Sequence, residues 1–202
     1  MIILYFLLSL LFWIYIELAV FFLYLLSFPL FFLPSINRSA LYFSSRRILR
    51  LIFWLCRIGV KVDDRTGSPI QGIVSSTREG LIDPLYILAY FPVQVRFVVD
   101  RELFMIPIFA LVLSILGCIP APARRGSFRG FYRRIESALT AGETLFFFPG
   151  DKHGPARIAQ MTGSKLYKVD LAGGGGVMPM ESMILRPGPV TILVKVESKP
   201  QN

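Results

Sequence analysis

The chain has 202 residues, 54% of them hydrophobic and 17% charged, and a net charge of +9. That length holds one compact domain plus a membrane segment. The basic balance favours anionic lipid, nucleic acid or a phosphorylated partner. Nucleic acid is set aside, because there is no zinc-finger spacing, RNA-binding aromatic signature or helix-turn-helix pattern.

Met1 to Leu33 is apolar for longer than the roughly 20 residues a membrane helix needs, and Glu17 is its only formally charged side chain. Pro29 and Pro34 mark its end. It lacks the basic start and small-residue cleavage site of a signal peptide, so a retained membrane helix over 1–33 is expected, spanning the bilayer or lying in its interface. Arg38, Arg46, Arg47, Arg50 and Arg57 follow. Basic residues beside a span stay cytoplasmic, which places the rest of the chain on that side. Residues 34–58 read as a basic amphipathic helix, with Ile48, Leu51, Ile52 and Leu55 on one face and Arg46, Arg50 and Arg57 on another. Such a helix lies on an anionic membrane surface, or equally is a core helix with a solvated basic face.

From 59 to 202 the pattern alternates. Strands are expected at Val60–Val62, Gln71–Ser75, Val95–Val99, Thr144–Phe148, Val177–Met180 and Val190–Glu197. Helices are expected at Leu85–Tyr90, Glu102–Leu116, Phe128–Ala141 (with Ser127 as N-cap) and Lys165–Ala172. The fold class is α/β: a mixed, mostly parallel sheet covered by helices, preceded by the membrane and amphipathic helices. Gly173 to Gly176 reads as a helix stop and connector, since it lacks the ending and order of a phosphate loop. Cys56 and Cys118 sit in apolar surroundings and read as inert core thiols. His153, the only histidine, follows an unrelated strand, and no metal site is expected.

An ordered series of blocks resembles the lysophosphatidate (1-acylglycerol-3-phosphate) acyltransferase family. Ser76-Thr77-Arg78-Glu79-Gly80-Leu81-Ile82-Asp83-Pro84 is similar to its Asn-His-x-x-x-x-Asp segment, with Asp83 in place and Arg78 at the His position. Val99 to Pro107, continuing to Arg124 and Arg125, looks like its Lys-x-Glu-Leu-x-x-x-Pro segment and the arginine beyond it. Phe147 to Gly154 resembles Phe-Pro-Glu-Gly-Thr-Arg-Ser, with Gly150 at the Glu position, Lys152 at the Thr position and His153 at the Arg position. Val177-Met178-Pro179-Met180 is similar to the family's Val-x-Pro-Val strand, and Arg186 to Val196 to the strand after it.

The resemblance implies transfer of an acyl chain from acyl-CoA or acyl-carrier protein, with no other cofactor, to lysophosphatidate or a similar lysolipid in a phospholipid membrane. It assigns the acceptor's phosphate to Arg124 or Arg125, with Lys152 and His153 able to reach an anionic head group. In the family the His takes the hydroxyl proton and the Asp orients it, a contribution typically worth about 10²–10⁴-fold. Arg78 keeps its proton at ordinary pH and cannot act as that base. Two further readings follow: a catalytically impaired member that binds phospholipid or an acyl carrier as scaffold or regulator, and an acyltransferase of altered mechanism on another acceptor.

Overall fold

The computed structural model describes residues 2–31, 38–106, 110, 112–114, 116–122, 128–148 and 154–197. The described chain divides into two compact units. One comprises Met1–Asp63, Arg78–Phe91 and Leu171–Ile192; the other comprises Asp64–Thr77, Pro92–Asp170 and Leu193–Asn202.

The helices α1 (Ile2–Phe31), α2 (Arg38–Leu55), α3 (Asp83–Tyr90), α4 (Phe128–Thr140), α5 (Pro155–Thr162) and α6 (Gly174–Val177), with further helical residues at 110 and 112–114, accompany seven strands among the described residues. The strands are β1 (Gly59–Asp64), β2 (Ile73–Ser76), β3 (Val95–Val99), β4 (Ile119–Pro120), β5 (Thr144–Phe147), β6 (Leu166–Ala172) and β7 (Pro189–Val196). They hydrogen-bond in the order β1-β7-β6-β2-β5-β3-β4. The pairs β2–β5, β2–β6, β3–β5 and β3–β4 are parallel, which matches the mixed, mostly parallel sheet expected from the alternating pattern.

Three expected elements differ. Residues 165–172 form β6 rather than a helix. Their side chains alternate, with Tyr167, Val169 and Leu171 buried, and the strand pairs Ile73 with Leu166 and Val74 with Tyr167. Period two beats the helical reading once one face meets the core. The helix that precedes it is α5, which opens at Pro155 and closes on Gly163 in the left-handed conformation, with φ of 65°. Residues 177–180 are the end of α6 and an isolated antiparallel bridge between Gly80 and Pro179, not a strand. Residues 101–105 form a 3-10 turn and Ile106 is extended, so the helix expected over Glu102–Leu116 does not begin at Glu102, while residues 110 and 112–114 within that span are helical. Ile106 precedes a proline, and the proline ring disfavours helical backbone in the residue before it.

In the second unit, Phe131, Ile135 and Ala138 of α4 pack at helical spacing on Ile73, Val98, Ile119, Leu145 and Phe147 of the strands and on Ile158 and Ala159 of α5. In the first unit the core is aromatic. Phe53 of α2 lies 4.9 Å from Tyr86 and 6.1 Å from Tyr90, and stacks at 6.4 Å on Phe12 of α1.

The buried side of α2 is Tyr42, Ser45, Leu49, Ile52 and Phe53, so of the apolar set Ile48, Leu51, Ile52 and Leu55 only Ile52 is fully inside. Phe43, Leu51, Trp54 and Leu55 point outward. Two of the arginines find protein partners. Arg46 donates from Nε to the Ala89 carbonyl at 3.2 Å and from Nη2 to the Phe91 carbonyl at 2.8 Å. Arg50 donates from Nε to Ala89 at 2.8 Å. Both guanidinium groups thus satisfy carbonyls at the C-terminal end of α3, where cations also meet the negative pole of the helix.

Helix α2 ends in a turn that closes with the Ile58 amide on the Phe53 carbonyl at 2.9 Å. Arg57 supplies the left-handed residue, with φ of 56°, a conformation that costs a side-chain-bearing residue roughly 1–2 kcal/mol. Arg57→Gly is therefore expected to raise stability by about 1 kcal/mol after glycine's extra unfolded-state entropy is deducted. The check is a higher denaturant midpoint at unchanged slope.

Among the described residues no helix is long and apolar enough to cross a membrane. Helix α1 itself runs over Ile2–Phe31, but its continuous stretch of described side chains, 4–19, is shorter than a span needs. Residues 1 and 32–33 of the expected membrane helix lie outside the described residues.

Candidate functional site

Strand β2 runs into a loop whose last residue, Ile82, precedes α3, and Asp83 opens that helix with Pro84 behind it. Pro84 needs no amide partner at that position, which favours a helix start there. Asp83 is fully buried. Its Oδ2 accepts the backbone N–H of Glu79 at 2.7 Å and of Gly80 at 2.8 Å. The carboxyl therefore folds the loop back over itself and fixes the backbone of the residues just after Arg78. Its Oδ1 is buried with no hydrogen-bond partner among the described residues, and so is the Tyr86 hydroxyl one turn further along α3.

The four-glycine segment closes this arrangement. The Gly173 amide donates to Glu79 Oε2 at 3.2 Å, the Leu81 amide donates to the Met178 carbonyl at 3.0 Å, and Gly80 bridges to Pro179. A methyl group on Gly174 would overlap Asp83 Oδ1, and one on Gly80 would stand 2.7 Å from the Gly174 carbonyl oxygen and 2.9 Å from Asp83 Oδ1. The segment is thus more than a connector. Only glycine lets its backbone approach the carboxyl this closely. Sequence reasoning missed it, although four successive glycines beside an expected site are a signal for close backbone approach.

Burial holds the Asp83 carboxyl above its ordinary value. The Gly80 and Glu79 amides pull it down, the Glu79 charge pushes it up, and Arg78 has the smallest influence. Arg78 itself is exposed. The folded state binds the Asp83 proton more tightly than the unfolded chain does. The resulting stability is present below the unfolded carboxylate value and is lost as pH rises through the folded one. Stability is expected to fall with rising pH above the ordinary carboxylate range. Asp83→Asn is expected to flatten that fall, read as the difference between the two proteins in denaturant titrations across pH.

The solved structure of the 1-acyl-sn-glycerophosphate (LPA) acyltransferase PlsC from Thermotoga maritima is similar to this chain with a TM-score of 0.75 at 20% sequence identity, over 96% of this chain and 85% of that one. The chain has the fold of that acyltransferase. No family model matches it and no curated relative does. Arg78 stands in the loop between β2 and α3, and Asp83 opens α3. The expected phosphate ligands Arg124, Arg125, Lys152 and His153, together with Gly150, lie outside the described residues. Arg129, Arg133 and Arg134 are described and exposed on α4. No group of three or more His, Cys, Asp or Glu side chains among the described residues could hold a metal ion.

Chemically, the loop offers a buried carboxyl that orders backbone and an exposed guanidinium. A carboxyl so placed can orient a base that donates to its free Oδ1. Arginine can donate hydrogen bonds to an anion, but it cannot accept a proton from a hydroxyl.

Proposed function

We propose that the chain is a membrane-associated member of the lysophosphatidate acyltransferase family, with its α/β domain on the cytoplasmic side. It holds a lysophosphatidate-like acceptor and an acyl donor, acyl-CoA or acyl-carrier protein, and is catalytically impaired at the base position. The observation that carries this reading is the pair Arg78 and Asp83. The orienting carboxyl is kept, buried and anchored by two amides, while the residue that it would orient is an exposed arginine. The fold it shares with PlsC supplies the reaction class by analogy.

Membrane association is supported by the outward side of α1, where Leu4, Phe6, Leu7, Leu10, Leu11, Ile14 and Leu18 are all exposed, and by Phe43, Leu51 and Trp54 of α2. An exposed apolar surface of that extent is unusual on a monomeric soluble protein and marks a lipid or protein contact. The exposed apolar side chains of α2 contribute to this attachment, and Arg46 and Arg50 do not, since they are engaged with α3.

For the acceptor, Arg124 and Arg125 are assigned to its phosphate. An arginine–phosphate contact is charge-assisted and often bidentate, worth about 1.5–3 kcal/mol. Arg124→Ala with Arg125→Ala is expected to weaken lysophosphatidate binding about tenfold or more, measured by calorimetry below the micelle concentration. Unchanged binding in that variant, with loss in Arg133→Ala with Arg134→Ala, would move the phosphate site to α4.

A further inference from the structure

Within the second unit, a cavity of about 410 Å³ opens between the last turns of α4 and α5. Glu136 and Thr140 line it from α4, and Thr162 and Ser164 from the end of α5. The half-buried Tyr132 ring and the side chains of Leu139 and Met161 form its less polar walls. None of these residues belongs to the loop of Arg78 and Asp83.

The hydroxyl protons around this cavity are already committed. Thr140 Oγ1 donates to the Glu136 carbonyl at 2.8 Å, and Thr162 Oγ1 donates to the Ile158 carbonyl at 2.8 Å. With the Thr162 proton so placed, Ser164 Oγ is the donor in its 3.0 Å contact with Thr162 Oγ1. A hydroxyl has one proton to give and two lone pairs, so these three groups present acceptors to a ligand. Glu136 adds a carboxylate, which makes no ion pair among the described residues.

The backbone adds charge of the same sign. Helix α4 ends at Thr140 and α5 at Thr162, so the negative poles of two helices meet the cavity. Neither helix has a basic residue in its last turn, where a cation ordinarily balances that pole. Arg133 and Lys165, neighbours of lining residues in sequence, do not line the cavity. In a chain of net charge +9, this corner is locally negative. One carboxylate is too few for a divalent metal ion, and no group of three or more metal-ligating side chains stands among the described residues. What fits is a small molecule that carries both positive charge and N–H donors on an apolar body.

We propose that the cavity between the ends of α4 and α5 binds a primary organic ammonium. Its N–H groups meet Glu136, Thr140 and Thr162, and its alkyl body lies against Leu139 and Met161. The Tyr132 ring is a further side chain to which cations are drawn. A quaternary ammonium carries the charge but has no hydrogen to give these acceptors. The site is separate from acyl transfer and does not rest on that reading.

The test titrates the full chain, in non-ionic detergent at fixed ionic strength, with n-butylammonium, butyltrimethylammonium and butyrate. Calorimetry reads the affinity, and the thermal midpoint is an independent readout. Saturable binding of n-butylammonium, with a midpoint that rises with its concentration, is expected. Glu136→Gln is expected to lower that affinity about tenfold or more. Thr140→Val with Thr162→Val is expected to lower it with the charge left in place. Glu136 is exposed and its amide replacement keeps the shape, so Glu136→Gln decides if the double variant fails to fold. Glu181→Gln removes an exposed carboxylate outside the cavity and is expected to bind like the unmodified chain. Absence of saturable n-butylammonium binding overturns the proposal, and so does an equal loss in Glu181→Gln, which would mean diffuse attraction. Equal binding of butyltrimethylammonium, or tighter binding of butyrate, overturns the donor requirement or the sign of the site, and the proposal with it. Displacement of the amine by potassium at equal concentration assigns the corner to an inorganic ion and also overturns it.

Discussion

Purified chain given labelled acyl-CoA and lysophosphatidate is expected to form no phosphatidate above background, and Arg78→His is expected to raise turnover by about 10²-fold or more. The reason is local. Nothing at position 78 can accept the hydroxyl proton near neutral pH, and Asp83, with Oδ2 already holding two amides, is placed to orient a base rather than to be one. A histidine there could donate its ring N–H to the free Oδ1 and present its other nitrogen to the acceptor. The Glu position of the third block is Gly150, so Arg78→His with Gly150→Glu is the fuller restoration. Asp83→Ala in the Arg78→His background is expected to return activity to background. Robust turnover by the unmodified chain that survives Asp83→Ala would show that the chemistry runs through other residues, and the impaired reading would fall.

Gly174→Ala is expected to be strongly destabilising. It would overlap Asp83 Oδ1, and the carboxyl cannot step aside without breaking its bonds to the Glu79 and Gly80 amides. Overpacking of this kind costs roughly 1–3 kcal/mol and sometimes more, and loss of a buried hydrogen bond adds to it. Gly176→Ala, two residues on, meets nothing within 4 Å and is expected to be neutral or slightly stabilising. Asp83→Ala combined with Gly174→Ala tests the cause: the double variant is expected to be less destabilised than the sum of the singles, a coupling that two independent sites would lack. Equal stability of Gly174→Ala and Gly176→Ala would refute the close approach.

The sheet was largely readable because its strands are short apolar runs between turns, and β3 and β5 lie within a residue of their expected bounds. β6 was misread because Leu166, Val169 and Ala172 also fit a helical stripe. Only the neighbouring β2 decides in favour of Tyr167, Val169 and Leu171. At the site, Asp83 and Arg78 were visible from the spacing of one motif. What anchors them was not: two backbone amides and a glycine contact reaching across more than ninety residues leave little trace in local sequence. The direction of Arg46 and Arg50 was equally hidden, because periodicity gives the faces of a helix but not which face meets protein.

The partners of those two arginines have a practical consequence for extraction experiments. They grip carbonyl dipoles, not carboxylates. Mobile ions screen exposed charge pairs within about 10 Å at 0.1 M ionic strength, but a short hydrogen bond to a neutral oxygen at a partly buried site feels little of this. Raising the salt therefore leaves α2 fastened to α3. Whatever a high-salt wash detaches from vesicles is detached as folded protein, and the wash measures adhesion to lipid rather than loosening of the chain.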